Sequence, residues 1–323
     1  MVSADGPAER LRDLADLGGP YAVRVAATLR LPDLIATGLR SPAELAAATD
    51  TDADALGQLL RYLTGRGVLA QPEPERFELT ELGRLLCGSG RREWLDLDGL
   101  GFRMDLAYAG LLHAVRTGEP GYAAVHGRTL WEDTDANPAH RRVFDELMRA
   151  EQRRTAPEVA RLYDWSGVGE VMDVGGGNGG LLAEVLAKHG HLQGVLLDRP
   201  VSAPAAAATF AELGVGDRAR FTAASFFEPL PCAADVAVVS RVLSDWPDEP
   251  ARAILGHCAA AAGRVLVVEV LRAGPHYDLN MLVTVGGRAR SVADFDRLAR
   301  GAGLTLARTL HGDGGLVLLE CVR

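Results

Sequence analysis

The spacing of apolar positions along the chain changes near residue 170. Before it, apolar residues recur at helical intervals. Tyr21–Leu31 (YAVRVAATLRL) predicts a helix, as does Asp52–Thr64 (DADALGQLLRYLT), which opens on acids and has one apolar face. Ser41 followed by Glu44 predicts a capped helix start at SPAELAAATD. GVLAQPEPERFELT predicts two short strands about a Pro/Glu turn. Residues 101–165 predict more helix: MDLAYAGLLHAV, a Gly/Pro-containing link RTGEPGYAAVHG, then PAHRRVFDELMRAEQRRTAPEVARLYDW. Met104, Tyr108, Phe144 and Met148 stand in these segments, and such a stripe is either core or the wall of a pocket.

From Glu170 onward short apolar runs alternate with helical ones. EVMDV, QGVLLD, RARFTAA, DVAVVS and RVLVVEV read as strands, with GLLAEVLAKHG, an Ala-rich segment, EPARAILGHCAAA and SVADFDRLARGAG as intervening or following helices. That order predicts an α/β fold with a mainly parallel, doubly wound sheet. LTLARTL and GLVLLECV, separated by HGDGG, predict a closing hairpin.

Helix, turn, helix and β-ribbon between Ser41 and Leu79 is the order of a winged helix, which raises DNA binding as a rival function. Charge opposes it. Arg61, Arg66, Arg76 and Arg84 face Glu44, Asp50, Asp52, Asp54, Glu73, Glu75, Glu78 and Glu81, and the would-be recognition helix opens on acids where phosphate contacts belong. The formal net charge of −9 points the same way, away from a nucleic-acid partner. A winged-helix shape used for dimer contacts fits better.

With 323 residues, one large or two smaller domains are expected. The chain has no 18-residue apolar run and a charged start, MVSADGPAERLRD, so a cytoplasmic protein without membrane association is expected. Cys87, Cys232, Cys258 and Cys321 lie far apart and read as reduced thiols, with no metal site. Lys188 stands alone among 34 basic residues, a bias that suits a GC-rich genome and carries no chemistry.

The first strand of the second half runs into DVGGGNGGLLAEVL. Gly175, Gly177 and Gly179 make a GxGxG turn between strand and helix, where missing side chains let a ligand lie on the backbone. Asp198 ends the next strand, at the distance of a ribose-binding carboxylate. A structural turn and a nicotinamide dinucleotide site are the alternatives. The latter has a GxGxxG fingerprint at the start of its own domain. Here the loop comes late, and Asp173 stands two residues before its first glycine, which resembles the S-adenosylmethionine (SAM) loop of class I methyltransferases. SRVLSDWPDEP from Ser240 reads as a strand end falling into an acidic rim with one large aromatic.

Several stretches together carry a resemblance that spans nearly the whole chain: YAVRVAATLRLPDLI, LRYLTGRGVL, FELTELGRLL, VRTGEPGYAAVHGRTLWED, LYDWSGVGEVMDVGGGNGG, FFEPLP, RVLSDWPDEPARAIL and DLNMLVTVGGRARSVADFDRLARGAGL. They resemble the bacterial, plant-type O-methyltransferases of aromatic natural products. GGGNGG with RVAATLR is most similar to the anthracycline-tailoring branch, which includes carminomycin 4-O-methyltransferase and aclacinomycin 10-hydroxylase. The resemblance implies an N-terminal winged-helix dimerisation domain (1–100), a helical linker and pocket wall (101–165) and a Rossmann-like SAM domain (166–323). It also implies a homodimer and a small aromatic substrate.

Carried over by residue, Asp173 and the loop Gly175, Gly177 and Gly179 would hold the methionine part of SAM, and Asp198 the ribose. Phe226 and Phe227 would cradle adenine. Ser240 and Arg241 would flank the cofactor, with Trp246 stacked nearby. Met104, Tyr108, Phe144, Met148, Asn280 and Met281 would wall the acceptor pocket.

Three departures matter. Ser244-Asp245-Trp246 stands where the family usually has His-Asp-Trp, so the general base is missing. Ala224-Ser225-Phe226-Phe227 replaces Gly-Asp-Phe-Phe, putting Ser225 where an acid is expected near the adenine amino group. The link LRAGPHY is shorter than usual. A phenol titrates at about 10 and is mostly protonated at neutral pH. A positioned base is typically worth roughly 10²–10⁴-fold, and holding the reactants in attack geometry contributes roughly 7–11 kcal/mol. The expected activity is thus O-methylation of a phenol by proximity. The alternative keeps SAM as a fixed cation during decarboxylation, hydroxylation or rearrangement, and a non-catalytic binding role is a third reading. Asp245 is expected to hold a hydroxyl. His276, in the short link, is the candidate replacement base, while His113 and His126 read as surface or core. Glu269, at a strand end, would orient a polar group or cap the sheet.

Overall fold

A computed structural model describes residues 6–88, 90–271 and 274–323. The chain forms two compact units, one ending at Asp105 and the other running from Leu106 to Arg323.

The first unit comprises α1 (Pro7–Ala15), α2 (Gly18–Thr28), α3 (Leu31–Ala36), α4 (Pro42–Thr49), α5 (Ala53–Gly65), β1 (Leu69–Glu73), β2 (Arg76–Leu79), α6 (Glu81–Arg84), α7 (Arg91–Leu95) and most of α8 (Leu100–Leu106). The capping box forms as spaced: Glu44 N–H donates to Ser41 Oγ at 3.3 Å, and Ser41 N–H donates to Glu44 Oε2 at 2.9 Å. Asp52 caps α5 by accepting from Ala55 N–H at 2.8 Å. β1 and β2 pair antiparallel, Leu69 against Leu79, and Leu31, Leu45, Leu60, Leu63 and Phe77 fill the unit's core.

The second unit begins with a 3₁₀ turn (Ala107–Gly110), α9 (Leu111–Thr117), α10 (Gly121–His126), α11 (Leu130–Ala136) and the long α12 (Pro138–Leu162). The link expected at 116–127 contains α10. Pro120 precedes its first turn and Gly127 ends it in the left-handed region at φ 71°, so the two residues that read as a break are the helix's boundaries.

The sheet follows: β3 (Glu170–Val174), α13 (Gly180–Lys188), β4 (Gln193–Asp198), α14 (Ala203–Glu212), β5 (Ala219–Ala223), β6 (Ala234–Ser240), α15 (Asp248–Ala261), β7 (Ala262–Val270), α16 (Pro275–Val285), α17 (Val292–Gly301), β8 (Thr305–His311) and β9 (Leu316–Val322). Its order is β5-β4-β3-β6-β7-β9-β8, with β3 to β7 parallel and β9 antiparallel to both its neighbours. Central strands bury both faces. Val171, Leu196, Val236 and Val238 join one core layer, and Met172, Val174, Val195, Ala237 and Val239 the other.

The chain leaves β3 toward β4 and returns to β6 on the opposite side. A crevice therefore opens at the carboxyl ends of β3 and β6, where such sheets bind ligands.

Candidate active site

A cavity of about 250 Å3 occupies that crevice. Its floor is the turn after β3. Gly175, Gly177 and Gly179 all lie in the left-handed region, at φ 72°, 61° and 74°, which side-chain-bearing residues rarely adopt. A Cβ on Gly175 would sit 2.8 Å from Val242 Cγ2, whereas one on Gly177 would meet nothing within 4 Å. The loop thus exposes bare backbone to the cavity at Gly177. Asp198 braces it: Oδ2 accepts Gly177 N–H at 2.7 Å, and Oδ1 accepts Arg199 N–H at 2.6 Å and Ser202 Oγ–H at 3.0 Å.

An aromatic group closes one side. Phe226 and Phe227 rings lie 4.8 Å apart, and Trp246 stands edge-on to Phe227 at 4.7 Å. Trp131 and Phe144, in contact at 5.6 Å, line the cavity with Met148 on α12. Arg199 lies over Trp131 at 5.8 Å and pairs with Asp135. Arg141 bonds Asp145 at 2.9 Å and Ser202 Oγ at 3.0 Å, and Arg241 reaches Glu151 at 3.5 Å. Each of these guanidiniums on the wall therefore has an acidic partner.

The rim turn Leu243–Asp245 follows β6. Arg290, whose side chain is fully buried, donates to Leu243 O at 2.5 Å and Trp246 O at 2.8 Å, and bonds Asp248 at 2.8 Å. Arg288 N–H donates to Ser244 O at 3.0 Å, and the turn's backbone lies directly against Gly287, which leaves no room for a Cβ there. So fixed, the turn sends two side chains different ways. Ser244, buried, donates to the buried Glu269 Oε1 at 3.0 Å. Asp245 faces the cavity.

Acids dominate this electrostatics. Burial, reinforced by Glu269 and opposed by Arg241, pushes Asp245 up to about 8. Burial lifts Glu269 to about 7 against the lowering effect of its Ser244 hydrogen bond and of Arg241. Burial and nearby Asp198 lift Asp173, beneath the loop, to about 7. The Leu182 backbone N–H opposes that rise, although neither carboxylate oxygen makes a hydrogen bond of full geometry.

The residues present suit SAM. The bare loop admits a ligand against its backbone, and the aromatic group suits a purine. A parallel doubly wound sheet whose last strand is reversed, with a glycine loop at its switch point, defines the class I SAM methyltransferase fold. Within that class, residues 108–305 match the O-methyltransferase domain family and residues 19–89 the O-methyltransferase dimerisation domain family. The chain is 44% identical over 311 residues to 2,7-dihydroxy-5-methyl-1-naphthoate 7-O-methyltransferase of Streptomyces carzinostaticus, covering 93% of each chain. It is 43% identical over 316 residues to aclacinomycin 10-hydroxylase RdmB of Streptomyces purpurascens, covering 92% of this chain and 84% of that one. The crystal structure of the O-methyltransferase NcsB1 from neocarzinostatin biosynthesis, in complex with S-adenosylhomocysteine (SAH) and 1,4-dihydroxy-2-naphthoic acid, superimposes with a TM-score of 0.89 at 41% identity over 99% of both chains. This chain belongs to the SAM-dependent O-methyltransferases that carry an N-terminal dimerisation domain. It is a transferase, and that dimerisation domain agrees with the homodimer the resemblance implies.

Of the residues singled out from sequence, Gly175, Gly177, Asp198, Ser225, Phe226, Phe227, Ser240, Arg241, Asp245, Trp246, Phe144 and Met148 all line the cavity. Asp173 and Gly179 support the loop from behind it, and Ser244 lies under the rim. Five of the expected residues, His276, Asn280, Met281, Tyr108 and Met104, are not among those lining this cavity. His276 is exposed in the first turn of α16, away from the cavity wall, because the short link becomes helix at Pro275. Residues 272 and 273 of that link lie outside the described residues. Asn280 and Met281 on the same helix do not line the cavity: Met281 is buried and Asn280 O accepts from Thr284. Tyr108 sits in the 3₁₀ turn with its hydroxyl buried, also off the wall. Met104 belongs to the first unit.

Sequence reasoning passed over Trp131, Arg141, Asp145, Gln152, Asn178 and Arg199 on the wall, and Arg290 behind the rim. Asn178 stood inside the glycine motif and could have been marked. The α12 residues carry no local signal, since a long charged helix looks alike on every polar face. No helix is long and apolar enough to cross a membrane, and no group of His, Cys, Asp or Glu has metal-site geometry, among the described residues.

Proposed function

We propose that the protein methylates a phenolic hydroxyl on a fused-ring, polyketide-type natural product, working by placement without a histidine base. The observation that carries this reading is Asp245. Its carboxyl lines the cavity on a turn locked by Arg290, yet Ser244 fills the position of the usual base and is spent on Glu269. SAM, when bound, would supply an electrophilic methyl carbon: the O–C bond forms as the S–C bond breaks, SAH leaves, and the phenolic proton passes to solvent. The chain's residues do the rest. Gly175 and Gly177, backed by Asp173, would hold the amino-acid half of the donor, Asp198 the ribose, and Ser225, Phe226 and Phe227 the adenine. Trp246, Ser240 and Arg241 close over it. Trp131, Phe144 and Met148 offer a flat apolar wall to the acceptor's rings, and Asp245 takes the hydrogen bond of the hydroxyl to be methylated. A carboxyl raised toward neutrality is better matched to a phenol than an ordinary one.

In this reading α11 and α12 supply the acceptor wall and the sheet's carboxyl edge the donor half, and the enzyme works in the cytoplasm. Dihydroxynaphthoates are the first acceptors to try, given the naphthoate relative. Incubation with SAM should release SAH and add one methyl group to the acceptor, read by mass spectrometry. A second reading is favoured by one observation: the chain is as similar to a 10-hydroxylase as to a methyltransferase. There the sulfonium stays as a fixed charge beside a developing anion. Acceptor conversion that needs SAM but yields no SAH would establish it and overturn the first.

A further inference from the structure

Six arginines stand on α12, and they divide by partner. Arg141 pairs with Asp135 and Asp145, Arg154 with Glu151, and Arg161 with Glu158. Arg142, Arg149 and Arg153 have no ion pair or hydrogen bond among the described residues, and all of them line one groove of about 610 Å3 between α12 and the start of α14. Their spacing puts them on one side of the helix, about 10 Å and then about 6 Å apart along its axis. The groove's floor is apolar: Pro138, Ala150, Ala205 and Val201, the last 40% exposed. Of its acids, Asp135 and Asp145 are held by Arg141, which leaves Glu146. The groove is thus positive in a chain whose formal net charge is −9. Arg141 and Asp145 line both it and the active-site cavity, so the two spaces meet at that pair.

Guanidiniums without acidic partners suit phosphate, which they bind through paired N–H donors. Spread over about 16 Å, these three exceed the reach of a single inorganic phosphate. The volume is that of a small-molecule site, about 300–1,000 Å3. The apolar floor suits an uncharged chain running from the phosphates toward the cavity. We propose that this groove holds the handle of the acceptor, presented as a thioester of coenzyme A. The diphosphate and 3′-phosphate lie on Arg149 and Arg153, the pantetheine chain crosses Ala150 and Val201, and Arg142 donates to one of its amide carbonyls. The thioester end then reaches the cavity at Arg141 and Asp145. The proposal rests on the methylation reading above and names the form in which the acceptor arrives.

The test is a set of calorimetric titrations on the full-length protein saturated with SAH, so that the donor's own site is filled. The probes are coenzyme A, benzoyl-coenzyme A and 4′-phosphopantetheine. Coenzyme A should bind the wild type, and less tightly as salt is raised. A triple variant, Arg142→Gln with Arg149→Gln and Arg153→Gln, should lose about tenfold or more of that affinity, with SAH affinity changed by less than about twofold. Benzoyl-coenzyme A should bind more tightly than coenzyme A, because its ring enters the cavity, and 4′-phosphopantetheine less tightly. Absence of coenzyme A binding, or equal binding by the triple variant, overturns the proposal. So does equal affinity for coenzyme A and 4′-phosphopantetheine, which would mean that one phosphate suffices. Equal affinity for coenzyme A and its benzoyl thioester overturns it too, since the thiol end would then stop short of the cavity. A protein that binds no SAH fails the methylation reading instead, and the triple variant titrated without SAH still decides the groove.

Discussion

Ser244 Oγ donates to Glu269 Oε1 at 3.0 Å, tying the rim turn to the end of β7. The hydroxyl is therefore a structural donor to a buried carboxyl. Ser244→Ala leaves Glu269 buried without that donor, at a cost of about 1–3 kcal/mol in stability. Turnover should stay within roughly an order of magnitude, because an unassisted hydroxyl is no base near neutrality. Thermal melts and steady-state kinetics on the variant check both parts. A collapse of kcat with an unchanged melting temperature would contradict this account.

Asp245 carries the pH dependence of the reaction. Its ionised form accepts the acceptor's hydroxyl, so kcat/KM should rise with pH until the carboxyl, lifted to about 8, is ionised. Burial sets most of that rise, Glu269 adds to it and Arg241 opposes it. Asp245→Asn should flatten the rise while keeping the plateau within roughly tenfold, since an amide oxygen still accepts the hydrogen bond. A loss nearer the roughly 10²–10⁴-fold of a removed base would make Asp245 the proton acceptor.

Stability should fall as pH rises. Asp173 and Glu269 titrate at about 7 and Asp245 at about 8 in the folded chain, against about 4 when unfolded. Between those limits the fold holds protons that the unfolded chain has released, so each unit of pH favours unfolding. Melting temperatures measured from about pH 5 to pH 8 should decline, and Asp173→Asn should lessen the slope. A flat trend across that window would show that these groups are ionised in the fold.

Gly177→Asp should abolish SAH binding while leaving the fold intact. The position has φ 61° and open space where a Cβ would stand, and aspartate tolerates that backbone at a cost of about 1–2 kcal/mol. The added carboxylate would occupy the cavity floor next to Asp198, which accepts from the same residue's N–H. Calorimetry showing wild-type affinity would remove the loop from the binding site.

Arg290→Met tests the rim's rigidity. The guanidinium meets the carbonyls of Leu243 and Trp246, and losing it strands buried acceptors at about 1–3 kcal/mol. Because the turn places Asp245, kcat should drop more than the affinity for SAH. Equal changes in both would mean the turn holds its shape without Arg290.

Local order made much of this protein readable from its sequence. The Ser41/Glu44 box, the Asp52 cap, the glycine turn after β3 and the alternation of strands and helices each depend on residues a few positions apart, and each formed as spaced. The glycine loop, Asp198, the Phe226–Phe227 pair and Asp245 were legible because strand ends in a doubly wound sheet converge on one crevice. His276 was named from its place in a short link, and the sequence did not show that Pro275 starts a helix there and leaves the ring exposed. Only the tertiary structure could bring Gln152 on α12 to Asn178, Arg290 to the carbonyls of the rim turn, and Glu269 to Ser244. Those contacts join positions with no common period or motif, and they exist because packing the sheet and its helices brings these groups together.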